Sequence, residues 1–154
     1  MTPIHELADL FHTGIVVDDV DAAKAEYSDL MGVTWGFEGE VDQPVWFPDT
    51  GGRTVTFRFA YTDQGPHRLE LVRPIPGTLW EVTGVGHAHH LGFWCDDVPR
   101  VSAELVQRSV PLCAKVGVGE ADAHAAIVLH RAQSGVYIEL LSTEMRELMF
   151  GGQS

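Results

Sequence analysis

Hydrophobic and polar positions along the chain fall into two similar halves. Residues 11–17 form an apolar, β-branched run that reads as a strand, and Asp18 and Asp19 end it. Either of these, or Asp21, can cap the segment that follows. From residue 21 to 31 the apolar positions Ala23, Tyr27, Leu30 and Met31 share one helical face, with Gly32 as a stop. Residues 33–37 are expected as a strand turning through Gly39, and residues 45–47 as a short strand. Pro48-Asp49-Thr50-Gly51-Gly52 is a turn signal. Residues 54–61 alternate, with Val55, Phe57 and Phe59 on one side and Thr56, Arg58 and Ala60 on the other. After a turn at 63–66, residues 68–73 form a strand ended by Pro74 and Pro76.

Residues 74–88 carry Pro74, Pro76, Gly77, Gly84 and Gly86 and read as the linker between halves. The order then repeats. Residues 89–95 form a strand. Asp97 caps a helix with Pro99 in its first turn, and Val101 and Leu105 lie on its buried face. Residues 111–116 and 125–130 are strands, 133–135 a turn, 136–141 the last strand, and 144–150 a short terminal helix. Each half is therefore strand, helix, then about three strands. The expected class is α+β, a mostly antiparallel sheet with helices outside. The domain limits that follow are a first module at 11–73, the linker, a second module at 89–142 and a tail at 143–154.

The halves also repeat residue by residue. Residues 12–20 read His-Thr-Gly-Ile-Val-Val-Asp-Asp-Val and residues 90–98 read His-Leu-Gly-Phe-Trp-Cys-Asp-Asp-Val. Without a gap they share His, Gly, Asp, Asp and Val, as an internal duplication would. The last strands match as well: Arg68-Leu69-Glu70-Leu71-Val72 against Tyr137-Ile138-Glu139-Leu140-Leu141. Each half thus offers one His on its first strand and one Glu on its last. An inward carboxylate left unpaired would be costly. Two imidazoles and two carboxylates suit one borderline divalent ion, Zn²⁺, Ni²⁺, Co²⁺, Mn²⁺ or Fe²⁺. The expected ligands are His12, Glu70, His90 and Glu139. The repeat selects His90 over His89, which would face the other side of its strand. His87 and His89 read as linker or wall residues. His5, His67, His124 and His130 have no repeat partner and read as surface or core.

Composition narrows the partners. The 154 residues carry a net charge of −12, from 10 Lys and Arg against 22 Asp and Glu. Nucleic acid and anionic membranes need a basic surface, so neither is an expected partner. The two cysteines, Cys95 and Cys113, read as buried thiols and form no CxxC pair. The N-terminus has no signal-peptide pattern and no apolar run approaches about 18 residues, so the expected location is the cytoplasm.

At these residues the chain resembles the vicinal oxygen chelate superfamily, which includes glyoxalase I, methylmalonyl-CoA epimerase, extradiol dioxygenases, and fosfomycin- and bleomycin-resistance proteins. The carriers are residues 11–17 with the helix at 21–32, His89-His90-Leu91-Gly92-Phe93, and residues 137–141, within a span of about residues 11–142. The resemblance implies paired βαβββ modules forming a cupped sheet around a metal, and a homodimer. The His-Glu-His-Glu set resembles that of glyoxalase I, whereas an epimerase of this family would carry Gln at position 70. It implies a divalent-metal-dependent lyase or isomerase. The metal stabilises an enolate of a small, apolar carbonyl substrate while a carboxylate moves the proton. Glu139 is the first candidate base and Glu70 the second. Trp46 and Phe57 are the aromatics expected against the substrate. The alternatives are a bleomycin-resistance-like ligand-binding protein, which the acidity fits, and an Fe(II) extradiol-type dioxygenase.

Overall fold

The computed structural model describes residues 2–4, 6–82 and 87–151. A single 3-10 turn at Leu7–Asp9 leads into the first module. That module is β1 (Leu10–Val16), α1 (Val20–Met31), β2 (Trp35–Phe47), β3 (Gly51–Thr62) and β4 (Arg68–Val72). The second is β5 (His87–Cys95), α2 (Val98–Gln107), β6 (Leu112–Val116), β7 (Ile127–Arg131) and β8 (Tyr137–Ser142), followed by α3 (Met145–Phe150). Residues 83–86 of the expected linker and 152–154 of the expected tail lie outside the described residues, as does His5. His87 and Ala88, placed in the linker by their neighbours, belong to β5.

Two βαβββ modules build one α+β fold. The strands follow the order β2-β3-β4-β1-β5-β8-β7-β6. Within each module the first and last strands run parallel (β1 with β4, β5 with β8), because the helix carries the chain across before the sheet is resumed. All other pairings are antiparallel, including the β1–β5 joint between modules. The cup closes on its far side where Val45 and Trp46 of β2 meet Val116 and Lys115 of β6.

Local chemistry sets the helices. Asp19 caps α1 through Ala22 N–H and Asp97 caps α2 through Arg100 N–H. Gly32 ends α1 in the left-handed region at φ 67°. Val20 and Ala23 are buried against Ala60 and Leu71 on the outer sheet face, with Tyr27 packed beside them. Leu30 and Met31, expected on that buried face, are 70% and 52% exposed. The helix face is right for its first two turns; in its last turn Ser28, whose Oγ accepts from Trp35 Nε1 of β2, faces the sheet instead of Leu30 and Met31.

The greatest departure from the expected elements is β2. Gly39 does not turn the chain, and residues 45–47 are not a separate strand. One strand runs through Gly39 and Pro44 and pairs with β3 from Trp35 to Phe47. Glycine and proline punctuate strands when other signals agree. Here the Phe59 ring lies 3.7 Å from where a Cβ on Gly39 would sit. The Pro44 carbonyl accepts from Gly117 N–H, so neighbouring strands support the segment. The alternation expected in β3 is present. Phe57, Phe59 and Tyr61 face the cup, while Ala60 packs under α1 and Arg58 reaches Asp21 outside.

Candidate metal centre

The duplicated His-x-Gly has a physical reason. β1 and β5 run antiparallel, with His12 opposite Gly92 and Gly14 opposite His90. Each imidazole lies across the glycine of the other strand. A Cβ on Gly14 would sit 2.0 Å from His90 Cε1, and one on Gly92 1.8 Å from His12 Cε1. No side chain fits at either position while the rings stay in place. The outer strands complete two symmetric rows. Glu70 of β4 pairs with Gly14, and Glu139 of β8 pairs with Gly92. The four expected side chains therefore converge, all from one chain.

Their donor atoms are close. His90 Nε2 lies 2.8 Å from Oε2 of both Glu70 and Glu139. His12 Nε2 lies 3.1 Å from Glu139 Oε2, 3.2 Å from Glu70 Oε2 and 3.1 Å from His90 Nε2. One ligand atom from each residue lies within 4.8 Å of the other three, and all four residues are buried. Burial by itself would push both imidazoles down and both carboxyls up. Glu139 and Glu70 outweigh it and raise His12 and His90, the latter to about 10. The same contacts hold Glu70 and Glu139 below the usual carboxylate range. Four lone-pair donors meeting in a buried space need a positive charge between them. His12 Nδ1 is buried with no hydrogen-bond partner, so its proton can sit there while Nε2 faces the centre. Nitrogen and carboxylate oxygen are the donor types for a borderline divalent ion, and the four residues fit one.

Two residues that sequence reasoning did not assign to the site support it. Tyr61 pairs with Glu70 across β3 and β4, which places its buried ring beside that carboxylate. Burial, then the charges of Glu70 and Glu139, push the Tyr61 phenol well up, so it stays protonated. Its parity with Phe57 and Phe59 was the available signal. His89, expected as a wall residue, is buried; its Nδ1 is 2.9 Å from His90 Nδ1 and its Nε2 2.8 Å from Leu79 O. Burial, with the neighbouring His90 charge, lowers the His89 imidazole to about 4.

A cavity of about 350 Å³ opens onto Glu70, His90 and Glu139. Phe37, Phe57, Phe59, Trp80, Ile127 and Met149 supply much of its apolar wall, and among the described residues no Lys or Arg lines it. Phe57, expected against the substrate, is one of these wall residues. Trp46 does not line the cavity; it alternates with the buried Val45 and Phe47 and lies under Lys115 Nζ, 5.5 Å from the ring centroid. Three further histidines among the described residues stay apart from the donors. His130 is buried between Ser102 and Val110 O, His67 meets Thr13 at the surface and His124 is exposed. Cys95 is buried and Cys113 half-buried, both as free thiols. No described helix is long and apolar enough to cross a membrane.

Known proteins share this fold. Methylmalonyl-CoA epimerase from Bos taurus mitochondria is 25% identical over 145 residues, covering 90% of this chain and 76% of its own. The crystal structure of methylmalonyl-CoA epimerase from Mycobacterium tuberculosis superposes with a TM-score of 0.62 at 21% identity, covering 92% of each chain. A variant of the Streptomyces coelicolor epimerase in complex with 2-nitronate-propionyl-CoA gives 0.61 at 19%, covering 87% of this chain and 96% of its own. These relatives are isomerase-type enzymes sharing the fold. The family model described as the Glyoxalase/Bleomycin resistance protein/Dioxygenase superfamily matches residues 11–127, and the chain belongs to that superfamily.

Proposed function

We propose that the chain is a divalent-metal-dependent isomerase that moves a proton α to a carbonyl in a small, apolar substrate. The observation that carries this reading is the convergence of His12, Glu70, His90 and Glu139 at the floor of an apolar cavity. A divalent ion held by these four residues would supply Lewis acidity toward the substrate's carbonyl oxygen. Glu139 accepts the α-proton and returns it at a different position of the same conjugated unit. Glu70 is the less mobile carboxylate, because the buried Tyr61 ring stands opposite it on β3. Glu139 contacts the same two imidazoles but stands opposite the smaller Leu129, which leaves it freer to turn toward a substrate. The aromatic wall excludes water and orients the apolar part of the substrate.

Methylmalonyl-CoA, the compound bound in one similar epimerase structure, carries a carboxylate and phosphates. The cavity here has two acidic residues and, among the described residues, no Lys or Arg in its wall, which favours a neutral carbonyl compound. The test has two parts. Protein purified without chelator should carry a divalent metal, and less than about 0.2 ion per chain with no binding on titration would overturn the reading. In D₂O the metal-loaded protein should place deuterium α to the carbonyl in at least one neutral apolar ketone or aldehyde, and chelator should abolish it. Exchange that survives chelation counts against the metal.

A further inference from the structure

The geometry points to His89 as a positioning residue for the centre: it fixes the proton of His90 on Nδ1 and leaves His90 Nε2 as the donor aimed at the ion. This rests on reading the four converging side chains as a metal centre. The Leu79 carbonyl can only accept. Its oxygen lies 2.8 Å from His89 Nε2, so that nitrogen carries the hydrogen. A neutral imidazole has one N–H, so His89 Nδ1 is then a bare acceptor. It lies 2.9 Å from His90 Nδ1, and two nitrogens at that distance share one proton. That proton must belong to His90. His90 Nε2, 2.8 Å from both carboxylates, is then the nitrogen on which a cation would replace the proton.

The relay is rigidly held at its outer end. Ile75 N–H donates to Trp80 O, Thr78 Oγ donates to Ile75 O, and Trp80 N–H donates to Thr78 Oγ, which fixes the turn bearing Leu79. The His89 ring stacks on Tyr137, with centroids 4.8 Å apart, and Trp80 lies on it at 6.5 Å. Ring plane and tautomer are therefore both set. A ligating histidine usually gives its second N–H to a carboxylate, a carbonyl or water. Here another histidine stands between the ligand and the carbonyl.

The first module lacks this device. Phe11 occupies the position equivalent to His89, and His12 Nδ1 is buried with no partner. The two imidazoles are thus unequal at Nδ1: that of His90 is held by a hydrogen bond, whereas the Nδ1 side of His12 is held only by packing against Phe11 and Tyr61.

The experiment measures zinc affinity by chelator competition for the wild type, His89→Phe and His89→Gln, with thermal unfolding of each metal-free protein as the folding check. The Phe variant copies the first module and should bind zinc about 10–100-fold more weakly. The Gln variant can accept from His90 through its amide oxygen and donate to Leu79 O through its amide nitrogen. It should recover affinity to within a few-fold of wild type. Equal affinity in wild type and His89→Phe, or a Gln variant no better than Phe, overturns the proposal. Long-range ¹H–¹⁵N spectra of the metal-free wild type should show His89 as the Nε2–H tautomer and a proton on His90 Nδ1. A proton on His89 Nδ1 overturns it without any variant. Should the wild type bind no zinc, the metal reading fails, and the spectra decide the tautomer relay by itself.

Discussion

The two modules hold the same donors but support them differently. In the first, Glu70 lies opposite the ring of Tyr61; in the second, Glu139 lies opposite Leu129. In the second, His90 leans on His89; in the first, His12 follows Phe11. The first module's central hairpin has strands of 13 and 12 residues, whereas β6 and β7 have five each. What matches is what the centre forces to match. Each ring sits on the other module's glycine, so His12 needs Gly92 and His90 needs Gly14. What differs lies one residue away from the donors, or in the cavity wall, where the pseudo-twofold constraint ends. A duplicated fold can therefore keep a symmetric ion site while its two carboxylates and two imidazoles take unequal roles.

The symmetric part is where a single methyl group should do most damage. Gly14→Ala places a Cβ 2.0 Å from a His90 ring that Nδ1 already ties to His89, so the ring has nowhere to turn. Zinc affinity should fall by more than about a hundredfold, since a ligand and its supporting contact are lost together. Overpacking should cost the metal-free fold about 1–3 kcal/mol, read as a lowered unfolding midpoint. Gly92→Ala should do the same through His12. Normal zinc binding in either variant would mean that the rings do not need the glycines.

Glu139→Gln and Glu70→Gln test the inequality of the two carboxylates. Either amide keeps an oxygen toward the centre, so both variants can be compared at saturating metal. Loss of the base should slow α-proton exchange by about 10²–10³-fold in Glu139→Gln. In Glu70→Gln, where a tethered ligand is altered and the base is kept, the loss should stay near tenfold. Equal losses would make the two modules catalytically equivalent and remove the role given to Tyr61.

The same symmetry explains which parts of the molecule can be read from sequence. Donors and glycines occur twice at equal spacing, so they stand out against residues of the same type elsewhere. The Asp caps and the β3 alternation are local patterns and are equally visible. The long β2 strand was hidden because Gly39 and Pro44 look like interruptions until β3 and β6 are in place to support them. The exposure of Leu30 and Met31 depends on what packs beneath the last turn of α1, which helical periodicity does not encode. His89 and Tyr61 occur in one module only. An unrepeated residue has no internal partner to mark it, and each acquires its role only through a neighbouring strand.

The cavity wall belongs to the unrepeated part, and there the expected effects are smallest. Phe57 and Trp46 were both reasonable aromatic contacts, but they lie on neighbouring strands with opposite outlooks. Phe57 lines the cavity and meets Trp80 edge-on at 5.0 Å, while Trp46 sits under Lys115. Removing the Phe57 ring should raise KM for an apolar substrate by about tenfold, equivalent to about 1.4 kcal/mol of partly buried apolar contact. The exchange rate at saturation should change little, since the ring touches none of the four donors. Trp46→Ala should leave both parameters unchanged and should weaken only the closing contact between β2 and β6. If Trp46→Ala instead raised KM as much as Phe57→Ala, the substrate would extend past the cavity to the outer face of that seam, and the asymmetric hairpin would be reading it from both sides.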